Sequence, residues 1–412
     1  MEGVRRVIEE NEEEQFQLLC DLISIKSVTG NEGEAQDFIA KRMKEIGLTI
    51  ETWEPDLLEM KNSYPAFSHL EEKRGRKNVT GILKGEGGGK TLILNGHIDV
   101  VEAGEGWSFH PWKGTIQEGR IYGRGACDMK GGLASILYAI DALKEANVRL
   151  RGDVIMESVI GEEEGGTGTL SAMQKYKGDA AIITEPTRLS IATAQEGALT
   201  FRLTVRGRAA HACVRKEGVS SIEKFEKIHR AIRVFEAERN GRLTHPAYKQ
   251  TLPFPILIGK IKSGNWDSTV PDILEADGRF GISPREDILK ARRSFEKMIE
   301  KVCLKDTFLR RNPVTVEWRG GQFEPAEISP KEEVVQSVAR SFSSITGKKP
   351  VMEGMTYGAD MRLFIQHGIP CIMFGAGDVR KAHFPDEFIP CDELVIATKV
   401  LAGTIADFCG VS

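Results

Sequence analysis

Five side chains able to bind a metal occur along this chain in the order His97, Asp128, Glu163, Glu185 and His383. They stand in NGHIDVV, GRGACDMKGG, GEEEGGTGT, TEPT and AHFPDEF. Each is flanked by Gly, Pro or a short apolar run, which predicts a strand end or a tight loop. A set of imidazoles and carboxylates suits zinc or a similar divalent ion. Glu162 adds a further carboxylate beside the set, so the chemistry expected is metal-assisted hydrolysis.

The elements that would hold these residues alternate. Phe16, Leu19 and Ile23, then Ala35, Phe38, Ile39, Met43 and Ile46, recur at helical spacing on either side of a break at SVTGNEG. NVTGILKG and TLILNGHIDVV read as strands, a helix follows from Leu133 to Glu145, and DVIMESVI, TLSAMQKY and DAAIIT read as strand, helix and strand. This order predicts an α/β layer with a mostly parallel sheet, whose strand ends collect ligands. The texture changes near Gly197. ALTFRLTVRGRAAH alternates as a half-exposed antiparallel strand, with one face or edge open to pairing. A charged helix, PILIGKIKSG, ILEADGRFGI, a second helix and VTVEWRGG follow, an α+β insert. His383 lies beyond it yet belongs with His97. The catalytic domain is therefore expected in two parts, 1–196 and 323–412, around an insert at 197–322.

Composition narrows the class. A chain of 412 residues is long enough for two domains. A net charge of -4 with interspersed signs argues against nucleic acid or an anionic membrane as partner. No apolar run is long enough for a transmembrane helix. The charged start MEGVRRVIEENEEEQF lacks the apolar stretch of a signal peptide, so a cytoplasmic protein is expected. The seven cysteines form no CxxC pair and fit reduced thiols, and Cys127, next to Asp128, is not taken as a ligand. GEGGGK resembles a phosphate loop, but Lys84 stands where the first Gly would be and a strand follows it.

Taken together, the motifs from LLCDLISIKSVTGNEGEAQDFI to AHFPDEFIP resemble the co-catalytic zinc amidohydrolases. That family includes acetylornithine deacetylase, succinyl-diaminopimelate desuccinylase, aminoacylases and glutamate carboxypeptidases. The insert signature VRGRAAHACVRKEGVSSI is part of the match. The resemblance implies a zinc-hydrolase α/β domain with an inserted α+β lid that also dimerises. It implies His97, Asp128 and Glu185 on one ion and Asp128, Glu163 and His383 on a second. Asp128 would bridge the ions, which in two-metal sites lie about 3.5–4 Å apart. Asp99 would orient the His97 ring from its far nitrogen. A run of glutamates is ordinarily solvated surface, but aligned on Gly165-Gly166 it gives Glu162 the general-base position and Glu163 the ligand position. Gly161 departs from the usual Asp.

The resemblance also gives His211 the role of an oxyanion donor reaching a neighbouring subunit's site. Arg279 would meet a substrate carboxylate, with an ion pair across strands as the competing assignment. Ser268-Thr269-Val270-Pro271 replaces a familiar Asn-Val-Ile-Pro, so a substrate-contacting amide is absent or comes from Asn265. GMTYGADMRLF resembles a glycine-rich substrate loop of the family, with Thr356, Asp360 and Arg362 as its candidate contacts. The expected function is hydrolysis of the amide bond of an N-acyl amino acid by a homodimer carrying two zinc ions, or cobalt or manganese. The alternatives are a peptidase acting on short peptides, an N-formyl aminopyrimidine deformylase, and a metal-binding relative without catalysis.

Overall fold

The computed structural model describes residues 1–63 and 75–412. The chain divides into two compact units. One comprises residues 1–194, 327–353 and 359–412, and the other residues 195–326 and 354–358. The expected insert, 197–322, falls inside the second unit.

The first unit is built on a mixed sheet that is parallel at its centre. Seven strands of this nine-stranded sheet run in the order Thr49–Trp53, Asn78–Leu83, Val154–Val159, Leu92–His97, Ala180–Ile183, Cys371–Met373 and Ile191–Gln195. The four strands from Val154–Val159 to Cys371–Met373 pair in parallel, and antiparallel strands flank them. The central strands are buried along their whole length, as continuous apolar runs such as TLIL and AAII require. Helices Gly131–Glu145 and Cys391–Cys409 are apolar nearly all round and pack against each other within the core. Leu94, Ile136, Leu137, Val400 and Leu401 belong to this one cluster. A helix beyond those expected from the apolar spacing, Glu2–Glu10, precedes Glu12–Ser24 and Gly33–Glu45. No helix among the described residues is long and apolar enough to cross a membrane.

The second unit is an antiparallel sheet in the order Ile256–Ser263, Ile273–Ile282, Gly197–Arg206 and Thr315–Phe323. Helices Ser221–Arg242 and Ile288–Lys305 pack on it through Phe225, Ile228, Phe295 and Ile299. Ser220 and Asp287 cap these helices, accepting the N–H groups of Glu223 and Lys290. Gly197–Arg206 alternates between buried and half-buried positions as expected, but it is an interior strand. Alternation reports that one face is open; it does not report which neighbours a strand has. The free edges belong to Ile256–Ser263 and Thr315–Phe323.

Candidate metal centre

The carboxyl ends of three parallel strands meet at one edge of the first unit's sheet. His97 ends Leu92–His97, Glu162 and Glu163 follow Val154–Val159, and Glu185 follows Ala180–Ile183. Asp128 lies in the turn before helix Gly131–Glu145, not at the helix N-cap, which is Lys130. That helix approaches the Glu185 loop closely. A Cβ at Gly132 would lie 2.3 Å from the carbonyl oxygen of Thr184. His383 sits in a loop with φ of +61°.

Two triads result, His97–Asp128–Glu185 and Asp128–Glu163–His383, each with its ligand atoms within 4.8 Å of one another. Asp128 belongs to both. Its Oδ1 lies 3.1 Å from His97 Nε2 and its Oδ2 3.5 Å from His383 Nε2. His383 Nε2 is 3.0 Å from Glu163 Oε1, and His97 Nε2 is 3.9 Å from Glu185 Oε1. One carboxylate thus turns an oxygen toward each of two imidazoles.

The electrostatics fit a site built for cations. Burial, then the Asp128 carboxylate, pushes Glu185 up to about 8. Burial, then Asp360, pushes Glu162 well above the usual carboxylate range. Burial works to lower the His97 pKa, yet Asp128 and Glu185 raise it well above its ordinary value. Crowded acids hold protons in this way when positive charge is lacking, and divalent ions among these donors would relieve it.

The supports of the centre differ in part from expectation. The carboxylate of Asp99 does not orient His97. The ring Nδ1 meets the backbone carbonyl of Asp99 at 2.8 Å, while the nearest carboxylate oxygen is 3.7 Å away. That carboxylate instead accepts the backbone N–H groups of Glu162 and Glu163, each at 3.3 Å, and the Thr29 hydroxyl at 3.1 Å. Glu387 was missed in the sequence. It is fully buried, and its Oε1 accepts the N–H groups of Cys127 and Asp128 at 3.0 and 3.1 Å. Its Oε2 takes a 2.6 Å bond from the buried Arg124. One acid four residues after His383 therefore holds the backbone of Asp128. In the sequence, Arg124 and Glu387 read as ordinary charges of GRGACD and HFPDEF, and only their pairing in the structure shows that they are buried. The Cys127 thiol is buried against the carbonyl of Asp378 and is in neither triad.

The candidates His211, Asn265, Arg279 and Thr356 lie in the second unit. His211 is exposed and starts a short helical turn, its Nδ1 accepting the N–H of Cys213 at 3.2 Å. It pairs with Thr269, and Ala212 bonds to the carbonyl of Ser268, which places it beside the loop that carries exposed Asn265. Arg279 is engaged in an ion pair with buried Glu196 and bonds to the carbonyl of Thr356 at 3.3 Å. Its contacts are those of the competing ion-pair assignment, although Glu196 rather than a facing strand residue is the partner. In the first unit, Arg362 binds the carbonyl of Gly165 at 2.5 Å and Asp360 Oδ1 at 3.3 Å, so Arg362 serves the carboxylate loop's backbone and Asp360 holds Arg362.

Comparison with known proteins places these features in context. Residues 93–407 match the sequence pattern of Peptidase family M20/M25/M40. The chain is 29% identical to the N-formyl-4-amino-5-aminomethyl-2-methylpyrimidine deformylase of Bacillus subtilis (strain 168), over 99% of this chain and 97% of that protein. It is 27% identical to the acetylornithine deacetylase of Myxococcus xanthus, over 81% of this chain and 84% of the relative. Among solved structures, human carnosine dipeptidase 1 superposes with a TM-score of 0.78 at 16% identity, covering 99% of this chain and 98% of that one.

Proposed function

Because the chain belongs to Peptidase family M20/M25/M40, and is thereby a metal-dependent amidohydrolase or peptidase, we propose that it hydrolyses the amide of a small acyl group at a two-metal centre. The observation that carries this reading is Asp128, with one carboxylate oxygen toward His97 and the other toward His383. His97, Asp128 and Glu185 would hold one ion and Asp128, Glu163 and His383 the other. Zinc is proposed first, with cobalt or manganese as alternatives; such ions supply Lewis acidity, polarising the amide carbonyl and lowering the pKa of water.

The chain's own residues divide the remaining work. Glu162 takes a proton from the attacking water and returns it to the leaving nitrogen. Asp99, through the N–H groups of Glu162 and Glu163, holds the base and its neighbouring ligand in one turn. His211 donates to the oxyanion that develops on the carbonyl, reaching it from a second subunit of a homodimer. The protein is proposed to act in the cytoplasm.

An N-formyl aminopyrimidine is the first substrate to test. The similarity to deformylases supports it, and so does Arg279, whose guanidinium is engaged with Glu196. An N-acyl amino acid is the second reading, supported by the deacetylase relative. The test is a panel of N-formyl aminopyrimidine, N-acetyl and N-succinyl diamino acids and dipeptides, with zinc or cobalt and with chelator. Turnover of the formyl substrate, abolished by chelation and restored by metal, is expected. Turnover of dipeptides alone would favour the peptidase reading, and full turnover in metal-free protein would end the metal reading.

A further inference from the structure

Glu164, the third member of the glutamate run, is absent from both triads and gives its carboxylate to Arg76. The Arg76 guanidinium is buried. Its Nε and one terminal nitrogen span the two oxygens of Glu32, at 3.1 and 2.6 Å, and the other terminal nitrogen meets Glu164. Glu32 is itself fully buried and accepts the N–H of Gly30 at 2.8 Å. A chain of charges therefore runs from the SVTGNEG break to the residue just after Glu163.

Gly161 shows how closely this cation is fitted to the loop. Its φ is +66°, and a Cβ there would lie 2.5 Å from Thr167 Oγ1 and 3.2 Å from the Arg76 guanidinium. Beyond Thr167, a side chain at 161 would meet Arg76 and Glu164 together, each at 3.2 Å, so the glycine leaves room for this ion pair. The loop closes tightly, with Gly165 N–H on the carbonyl of Glu162 and Gly166 N–H on that of Gly161, both at 2.8 Å. Three adjacent carboxylates in such a turn repel one another, and nothing in their own chemistry selects which two face the centre. A guanidinium fork locked on two acids supplies a directional anchor. Burying it carries a desolvation cost, which is consistent with retention for geometry rather than for stability.

We infer that Arg76 is a positioning residue for the centre: by anchoring Glu164 it sets the turn in which Glu163 faces Asp128 and His383. This rests on the two-ion reading above. The test compares wild type, Arg76→Lys, and the double variant Arg76→Met with Glu32→Gln, which removes both charges so that no acid is left buried alone. Zinc stoichiometry and the affinity of each zinc are measured alongside kcat, KM and thermal midpoint. The double variant is expected to keep the first zinc and to bind the second about 10–100-fold more weakly, with kcat falling by a similar factor and KM little changed. Arg76→Lys should restore part of the loss.

If the double variant does not fold, Glu164→Ala, at a partly exposed position, carries the same expectation. Two zinc ions at wild-type affinity with wild-type kcat, in either folded variant, would reduce Arg76 to a structural ion pair and overturn the inference. A single zinc at saturation in wild type would overturn the two-ion reading and this inference with it.

Discussion

The backbone carbonyl of Asp99, and not its carboxylate, holds the His97 ring: Nδ1 lies 2.8 Å from the carbonyl oxygen and 3.7 Å from the carboxylate. The carboxylate serves the opposite side of the centre, through the N–H groups of Glu162 and Glu163. Asp99→Asn removes one of two acceptors facing those donors. It should weaken the ion on Glu163 by about 10–100-fold and spare the ion on His97. Zinc titration of the variant checks this, and equal weakening of both ions would contradict it.

Glu162→Gln keeps the shape of the side chain and removes the proposed base. Turnover should fall by about two to four orders of magnitude while metal content stays near wild type. Glu163→Gln should lose the second ion as well as turnover. Metal analysis of the two purified variants separates the roles, and a reversed pattern would exchange the assignments within the run.

His211 tests the proposed dimer. A His211→Ala chain and a Glu162→Gln chain, each expected to be nearly inactive, are mixed and allowed to exchange subunits. If His211 acts on its partner's site, one site of each mixed dimer has both lesions and the other has neither, so activity returns. Exchange without recovery would place His211 in its own chain's site or in a purely structural role.

Glu157 gives a pH dependence away from the ligands. It is buried in the sheet and accepts 2.9 Å from Asn95 Nδ2; burial, opposed by that bond, pushes its carboxyl up to about 7. The folded chain keeps this proton to higher pH than the unfolded chain does. Its contribution therefore favours folding at low pH and is lost as pH rises from the ordinary carboxylate range through about 7. Glu157→Gln should raise stability relative to wild type by up to about 3 kcal/mol near pH 8 and by little near pH 5. Urea midpoints at the two pH values measure it, and a pH-independent difference would contradict the assignment.

The sequence was most legible where chemistry and punctuation coincide. His97 and Glu185 stand beside Gly or Pro just after apolar runs, and Glu163 lies in a short run between such a strand and a glycine pair, so their place at strand ends could be read directly. Asp128 and His383 came through the joint order of motifs. The strand Gly197–Arg206 was legible as a strand, but its interior place depends on partners far along the chain. Arg76, Arg124 and Glu387 look like surface charges in the sequence. Their burial follows from long-range pairing, as Arg124 with Glu387 shows, and spacing alone carries no trace of it. Arg279 matched a pattern, and only the nearby Glu196 reveals where its guanidinium is engaged.

Strand Cys371–Met373 lies between Ala180–Ile183 and Ile191–Gln195, which precede it by a whole inserted unit. Synthesis therefore delivers an inner strand of the first sheet only after the insert, whereas all four strands of the second unit's sheet emerge in one stretch. The insert can fold on the ribosome while its host still waits for a missing strand. A nascent chain halted before residue 371 carries a split sheet with unpaired edges, and it has not yet made His383. Completion of the host sheet and arrival of the last proposed metal ligand both wait until the insert has been made.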